Sequence, residues 1–162
     1  MTTSELFNLL AEDLVLKINN SKGLSQFVHR RAKFEGWLKV EIIDTLVRKN
    51  INALPEIDRI DVSFDKVGIE LKTINTNIRF KNVNQATRPI TKNTESVIKD
   101  IEKLKSLDIH DKFVVFVVFP IEHLNPYWQT QLQRIISKLT EIKLKEFHFL
   151  SKVPGVIYIG RV

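Results

Sequence analysis

Three polar side chains stand out for the chemistry they could do together: Asp61, and nine residues further on Glu70 and Lys72 within the run Glu70-Leu71-Lys72. They fall in two alternating segments, residues 57–64 and 67–74, which the pattern predicts to be the strands of a β-hairpin. Successive side chains on a strand point to opposite faces. Ile60, Val62 and Phe64 therefore share one face with Val67, Ile69 and Leu71, while Arg59, Asp61 and Ser63 share the other with Gly68, Glu70 and Lys72. Two carboxylates and an amine gathered in one small area can hold a divalent metal beside a phosphate. Mg²⁺ takes oxygen ligands at about 2.0–2.1 Å and keeps several waters.

The turn decides which groups face each other. A two-residue turn, Asp65-Lys66, pairs Phe64 with Val67 and sets Asp61 opposite Glu70. Opposed β-carbons lie about 4.5–5.5 Å apart and like charges there repel, a penalty that a divalent cation reverses. A four-residue turn, Asp65 to Gly68, sets Asp61 opposite Lys72 with Glu70 diagonal. A three-residue turn would set Asp61 against Leu71, which the hydrophobic pattern opposes. Gly68 suits the longer loop or a bulge. Either of the first two turns keeps the polar face populated.

The elements that must position this hairpin read as follows. A helix is expected over residues 3–19, with Leu6, Leu9, Leu10, Leu14 and Ile18 at helical spacing and Thr2 with Glu5 as a capping box. A second, longer helix is expected over 25–49, with Phe34, Leu38, Ile42 and Leu46 as its apolar stripe. Residues 50–56 are irregular around Pro55, and 75–93 form a polar stretch rich in Asn and Thr, within which 78–80 is a candidate short strand. A third helix spans about 94–107, burying Val97, Ile98, Ile101 and Leu104. Residues 113–119 are continuously apolar and β-branched or aromatic, hence a buried central strand ended by Pro120. Asn125-Pro126 starts a helix to about residue 140, and two strands, about 145–150 and 153–159, complete the order. This is an α/β pattern, a central mixed sheet flanked by helices in a single domain.

Composition narrows the function classes. With 43% hydrophobic and 27% charged residues the chain reads as a soluble globular protein. It has no apolar run near the ~20 residues that span a bilayer. Glu5, Glu12 and Asp13 interrupt the first 20 residues, unlike a signal peptide. The absence of cysteine excludes disulfides and cysteine-based zinc sites, and it fits a cytoplasmic protein with no membrane partner. A formal net charge of +6 favours polyanions, nucleic acid first. No Gly-rich phosphate loop and no Ser-His-Asp arrangement is present.

On these residues the chain resembles the PD-(D/E)XK nuclease superfamily, the restriction-endonuclease-like fold. The resemblance covers roughly residues 25–119: a helix carrying Phe34-Glu35-Gly36-Trp37-Leu38, the aspartate strand Arg59-Ile60-Asp61-Val62, the strand Ile69-Glu70-Leu71-Lys72, a helix and a buried apolar strand. Ile60 stands where the motif's proline would be, and the first core strand is either within residues 50–56 or replaced by 78–80 as the third. The resemblance implies an αβββαβ core, with an extra N-terminal helix and a C-terminal helix plus strand pair. It implies Mg²⁺, with Mn²⁺ as a substitute, held by Asp61, Glu70 and the backbone carbonyl of Leu71. It gives Lys72 the attacking water and the developing phosphorane charge, and Glu35 an assisting role through a water or a second metal. The implied substrate is DNA before RNA, and duplex cleavage would call for a homodimer. A nucleic-acid or protein binding module without activity, or an RNA-cleaving toxin, are the competing functions.

Further candidates are basic or mobile. Arg30, Arg31 and Lys33, beside His29, open the second helix and are placed to contact phosphates. Gln85, Arg88 and Lys92 lie in the polar stretch, where binding residues often sit. Lys99 and Lys103 read as a solvated helix face, and His110, His123 and His148 as structural. Glu35 would equally pair with Arg31 or Lys39 at helical spacing. Gly36, in mid-helix, calls for a close neighbour to justify its cost of ~1 kcal/mol against alanine.

Overall fold

Alternation on the strands and four-residue apolar spacing on the helices sort this chain into a sheet covered on both faces. A computed structural model describes residues 1–84 and 89–162. Among these residues are the helices α1 (Thr3–Asn20), α2 (Lys22–His29) and α3 (Glu35–Arg48), then the strands β1 (Leu54–Ile57), β2 (Ile60–Phe64) and β3 (Val67–Asn75). There follow α4 (Ile90–Ser106), β4 (Asp111–Phe119), α5 (Pro126–Ile136), β5 (Glu141–His148) and β6 (Pro154–Arg161). The six strands form one sheet in the order β1-β2-β3-β4-β6-β5. Only β3 and β4 run parallel, joined by the α4 crossover; the other pairs are antiparallel.

Local signals set the helix starts. The Thr2 hydroxyl accepts from the Glu5 amide at 3.2 Å and the Thr2 amide donates to Glu5 Oε2 at 2.7 Å, the reciprocal capping box at α1. Asn125 Oδ1 accepts from the Tyr127 and Trp128 amides at 3.1 and 3.2 Å, with Pro126 in the first turn of α5.

The single helix expected over 25–49 is two helices. The chain leaves α2 at Arg30, Arg31 takes a left-handed backbone (φ 52°), and α3 begins at Glu35. The apolar stripe survives the break. Leu38, Ile42 and Leu46 are fully buried, and Phe34 packs its ring 5.3 Å from Phe119 and 6.0 Å from Phe149. Gly36 thereby moves from mid-helix to a first turn, and a Cβ there would meet nothing within 4 Å. No close neighbour requires it.

The hairpin is also divided. Ile57 pairs with Ile60 across Asp58-Arg59, whose φ of 51° and 66° are the two positive values of a type I′ hairpin turn. The strand expected at 57–64 therefore begins at Ile60, and the irregular stretch supplies the edge strand β1. Pro55 is tolerated there because an edge strand has a side without ladder partners. Residues 78–80 form no strand.

Two cores enclose the sheet. On one face Val62, Phe64, Ile69 and Leu71 pack with Phe113, Val115, Val117 and Phe119 under α1 and α3. On the other, Ile74, Val114, Phe116 and Val118 pack against Val97 and Ile101 of α4 and Trp128 and Leu132 of α5. This explains the uninterrupted apolar run of β4: each face of the strand has its own core. Among the described residues no helix is long and apolar enough to cross a membrane.

Candidate active site

The turn formed is the two-residue one. Phe64 pairs with Val67, Ser63 with Gly68 and Val62 with Ile69; the same register carried on by one residue sets Asp61 opposite Glu70. Asp61 Oδ2 accepts from the Leu71 amide at 2.9 Å, fixing the carboxylate across the two strands. Glu70 and Lys72 project from β3 to the face that α4 covers, in phase with Ile74 and opposite to Ile69 and Leu71.

Each charge of the hairpin meets an opposite one from a helix. Lys39 of α3 reaches Asp61 Oδ1 at 2.7 Å and also pairs with Glu56. Lys103 of α4 reaches Glu70 Oε1 at 2.5 Å and donates to the Arg59 carbonyl. Asp100, one turn before Lys103, lies 2.9 Å from the Lys72 ammonium. Lys103, expected on a solvated face, is thus part of the site, whereas Lys99 is exposed. Asp100 and Lys39 were not singled out by sequence reasoning as site residues. A signal existed for Asp100 alone. Asp100 stands three residues after Val97 and one before Ile101, at the border of the buried stripe of α4.

Burial and these pairs set the protonation states. Burial raises the Glu70 carboxyl to about 7 from an ordinary 4.5; the Lys103 ammonium works against this and the Asp61 charge adds to it. For Asp61 burial acts upward too, but the Lys39 bond, the Leu71 amide and the Lys39 charge outweigh it, so its pKa lies below the ordinary value. Burial raises Asp100, with the Lys72 ammonium opposing. Burial pulls Lys72 down, yet the bond to Asp100 and the charges of Asp100, Glu35 and Asp61 raise it overall. Lys72 is a cation at neutral pH.

These states give a stability prediction. A carboxyl whose folded pKa is raised takes up a proton more readily folded than unfolded. Glu70 therefore stabilises the fold fully below pH 4.5, and this contribution is lost as pH rises to about 7. The native state holds more protons in that window, so stability declines with pH, by about 3 kcal/mol from this group. In metal-free buffer, Glu70→Gln should flatten the melting-temperature profile between about pH 5 and about pH 8. An unchanged decline in the variant would assign it to another group.

The other expected residues divide. The Glu35 carboxylate accepts from the Thr73 amide at 3.1 Å and pairs with Lys33 at 3.4 Å. It lies one strand residue beyond Lys72. Among the described residues no group of three or more His, Cys, Asp or Glu is arranged to hold a metal ion. Arg30, Lys33 and Lys92 are exposed. Arg31, expected at phosphates, is 6% exposed and its guanidinium donates to the carbonyls of Thr76, Ile78 and Asn84. It is an internal brace. Gln85 and Arg88 lie outside the described residues.

Comparison with family models, with curated proteins and with solved structures finds no match to this chain.

Proposed function

We propose that this chain is a metal-dependent nuclease with a restriction-endonuclease-like αβββαβ core, hydrolysing phosphodiester bonds in DNA before RNA. The run α3-β1-β2-β3-α4-β4 has the element order of that core and supports the reading. The observation that carries it is the meeting of Asp61 and Glu70 across β2 and β3, with Lys72 next along the same face.

The donor set fits a hard divalent cation. The Asp61 and Glu70 carboxylates and the Leu71 carbonyl are oxygen donors of the kind Mg²⁺ or Mn²⁺ takes. Two ammoniums, Lys39 and Lys103, balance the two carboxylates, and their flexible four-carbon stems let them withdraw. Glu35, anchored on the Thr73 amide, would act through a water. The metal, when bound, lowers the pKa of a bound water and offsets charge on phosphate oxygens. Lys72, paired with Asp100 and charged, would stabilise the negative charge that develops on the phosphorane rather than abstract a proton. One such site cuts one strand, so duplex cleavage would take a homodimer.

The same ion pairs favour a second reading. With Asp61, Glu70 and Lys72 each neutralised inside the protein, the chain could bind nucleic acid without turning it over. The test incubates the chain and an Asp61→Ala variant with supercoiled plasmid and with RNA, in Mg²⁺, Mn²⁺ or chelator. Metal-dependent cleavage that the variant lacks is expected. A gel shift without cleavage selects the binding module, and cleavage retained by the variant means the site is elsewhere.

A further inference from the structure

The segment that follows β3 presents an aromatic ring between two cations. Phe80 is 37% exposed, a large apolar side chain in a polar loop, with the exposed Arg79 and Lys81 on either side. Among the described residues neither Arg79 nor Lys81 forms an ion pair within 4.0 Å. The ring borders two recesses. One, about 250 Å³, is lined by Arg79, Phe80, Lys81 and Val83; the other, about 110 Å³, lies between Phe80, Ile78 and Pro120 and has Glu122 and Asn125 in its wall.

This loop is fixed from inside. Arg31 donates to Thr76, Ile78 and Asn84, the last of these three bonds closing over residues 79–83, of which all but Val83 are exposed. The Asn84 amide donates to the His29 carbonyl at 2.8 Å, and His29 Nδ1 donates to the Asn82 carbonyl. A turn from Phe80 to Val83, closed by the Val83 amide on the Phe80 carbonyl at 3.2 Å, has Asn82 at φ 61°, a value asparagine tolerates. These bonds fix the backbone on both sides of Phe80, and so hold its partly exposed ring and the two flanking cations in one arrangement.

We infer that Phe80, with Arg79 and Lys81, forms a stacking platform for the bases of unpaired nucleic acid. Every base has a π-face, and single-strand binders combine aromatic platforms with cations that follow the backbone. Charge and ring occur here at adjacent residues. The position suits the site proposed above, on which the choice of nucleic acid as ligand rests: β3 carries the chain about 10 Å from Lys72 to Asn75, where the loop begins. Inside a duplex each base face is covered by its stacked neighbours, so the platform favours single strands, flaps or splayed junctions over continuous duplex.

The test is anisotropy binding, in chelator so that nothing is cut, with a labelled oligothymidylate of about 20 nucleotides and a blunt duplex of similar length. Phe80→Ala should weaken single-strand binding about five- to a hundredfold and leave duplex binding within about twofold. Phe80→Trp should keep the affinity and show fluorescence quenched by the single strand. Arg79→Ala with Lys81→Ala should flatten the slope of log affinity against log salt by about 1.4. Equal losses on both probes, no loss in Phe80→Ala, or no single-strand binding by the parent chain overturns the platform. The two readings fail separately: cleavage retained by Asp61→Ala would remove the proposed active site and leave the platform, which is read from Phe80→Ala binding alone, standing.

Discussion

Lys72→Met is expected to slow metal-dependent cleavage about 10²–10³-fold, the loss that follows removal of one preorganised group facing developing charge. Methionine keeps most of the stem and deletes only the ammonium. The loss belongs to the chemical step if it appears in kcat with KM little changed. Unfolding is separable from it. The Asp100 oxygen that faces Lys72 is buried, and burial already raises this carboxyl, so Asp100 left alone can take up a proton. A cost of about 1 kcal/mol, or about 2–4 °C in melting temperature, is expected. Asp100→Asn, which keeps the shape and removes the charge that holds Lys72, should lose about tenfold. Cleavage by Lys72→Met within about threefold of the parent would move the electrostatic role to Lys103, the ammonium at Glu70.

The hairpin was legible because its physics is local. Alternation assigns the faces without knowledge of the rest of the fold, and Val62, Phe64, Ile69 and Leu71 are buried together as that pattern requires. The register was open between two turns. The observed one puts the carboxylates face to face, a repulsion that side-chain statistics would argue against. What relieves it comes from elsewhere in the chain: Lys39 from α3 and Lys103 from α4. Neither is near the hairpin in sequence, and an exposed-looking lysine at the edge of a helical stripe carries no local mark of its partner.

The helix break was illegible for a related reason. Four-residue spacing of Phe34, Leu38, Ile42 and Leu46 is satisfied whether the helix starts at residue 25 or at 35, because only the last three need to be helical. The cause of the break is tertiary. Arg31 turns inward to serve carbonyls of the 76–84 segment, and no pattern within residues 25–49 encodes that. Its neighbours Arg30 and Lys33 remain exposed as expected of a basic cluster, so the same charge run contains both surface cations and a brace.

That brace yields the largest stability effect. Arg31→Met should cost about 3 kcal/mol, since it strips donors from three backbone carbonyls at a buried position. For a chain of this size the loss corresponds to about 6–12 °C in melting temperature. Arg31→Lys should recover only part of it, because an ammonium lacks the guanidinium fork that reaches Thr76, Ile78 and Asn84 at once. The phosphate-contact role expected from sequence makes the opposite forecast. A residue touching phosphate would leave the melting temperature alone and flatten the salt dependence of binding by about 0.7–0.9. An internal brace lowers the melting temperature and, by releasing the loop that carries Arg79, Phe80 and Lys81, weakens single-strand binding as well. The melt of this one variant therefore decides between the two roles. An unchanged melt with a flatter slope would return Arg31 to the surface.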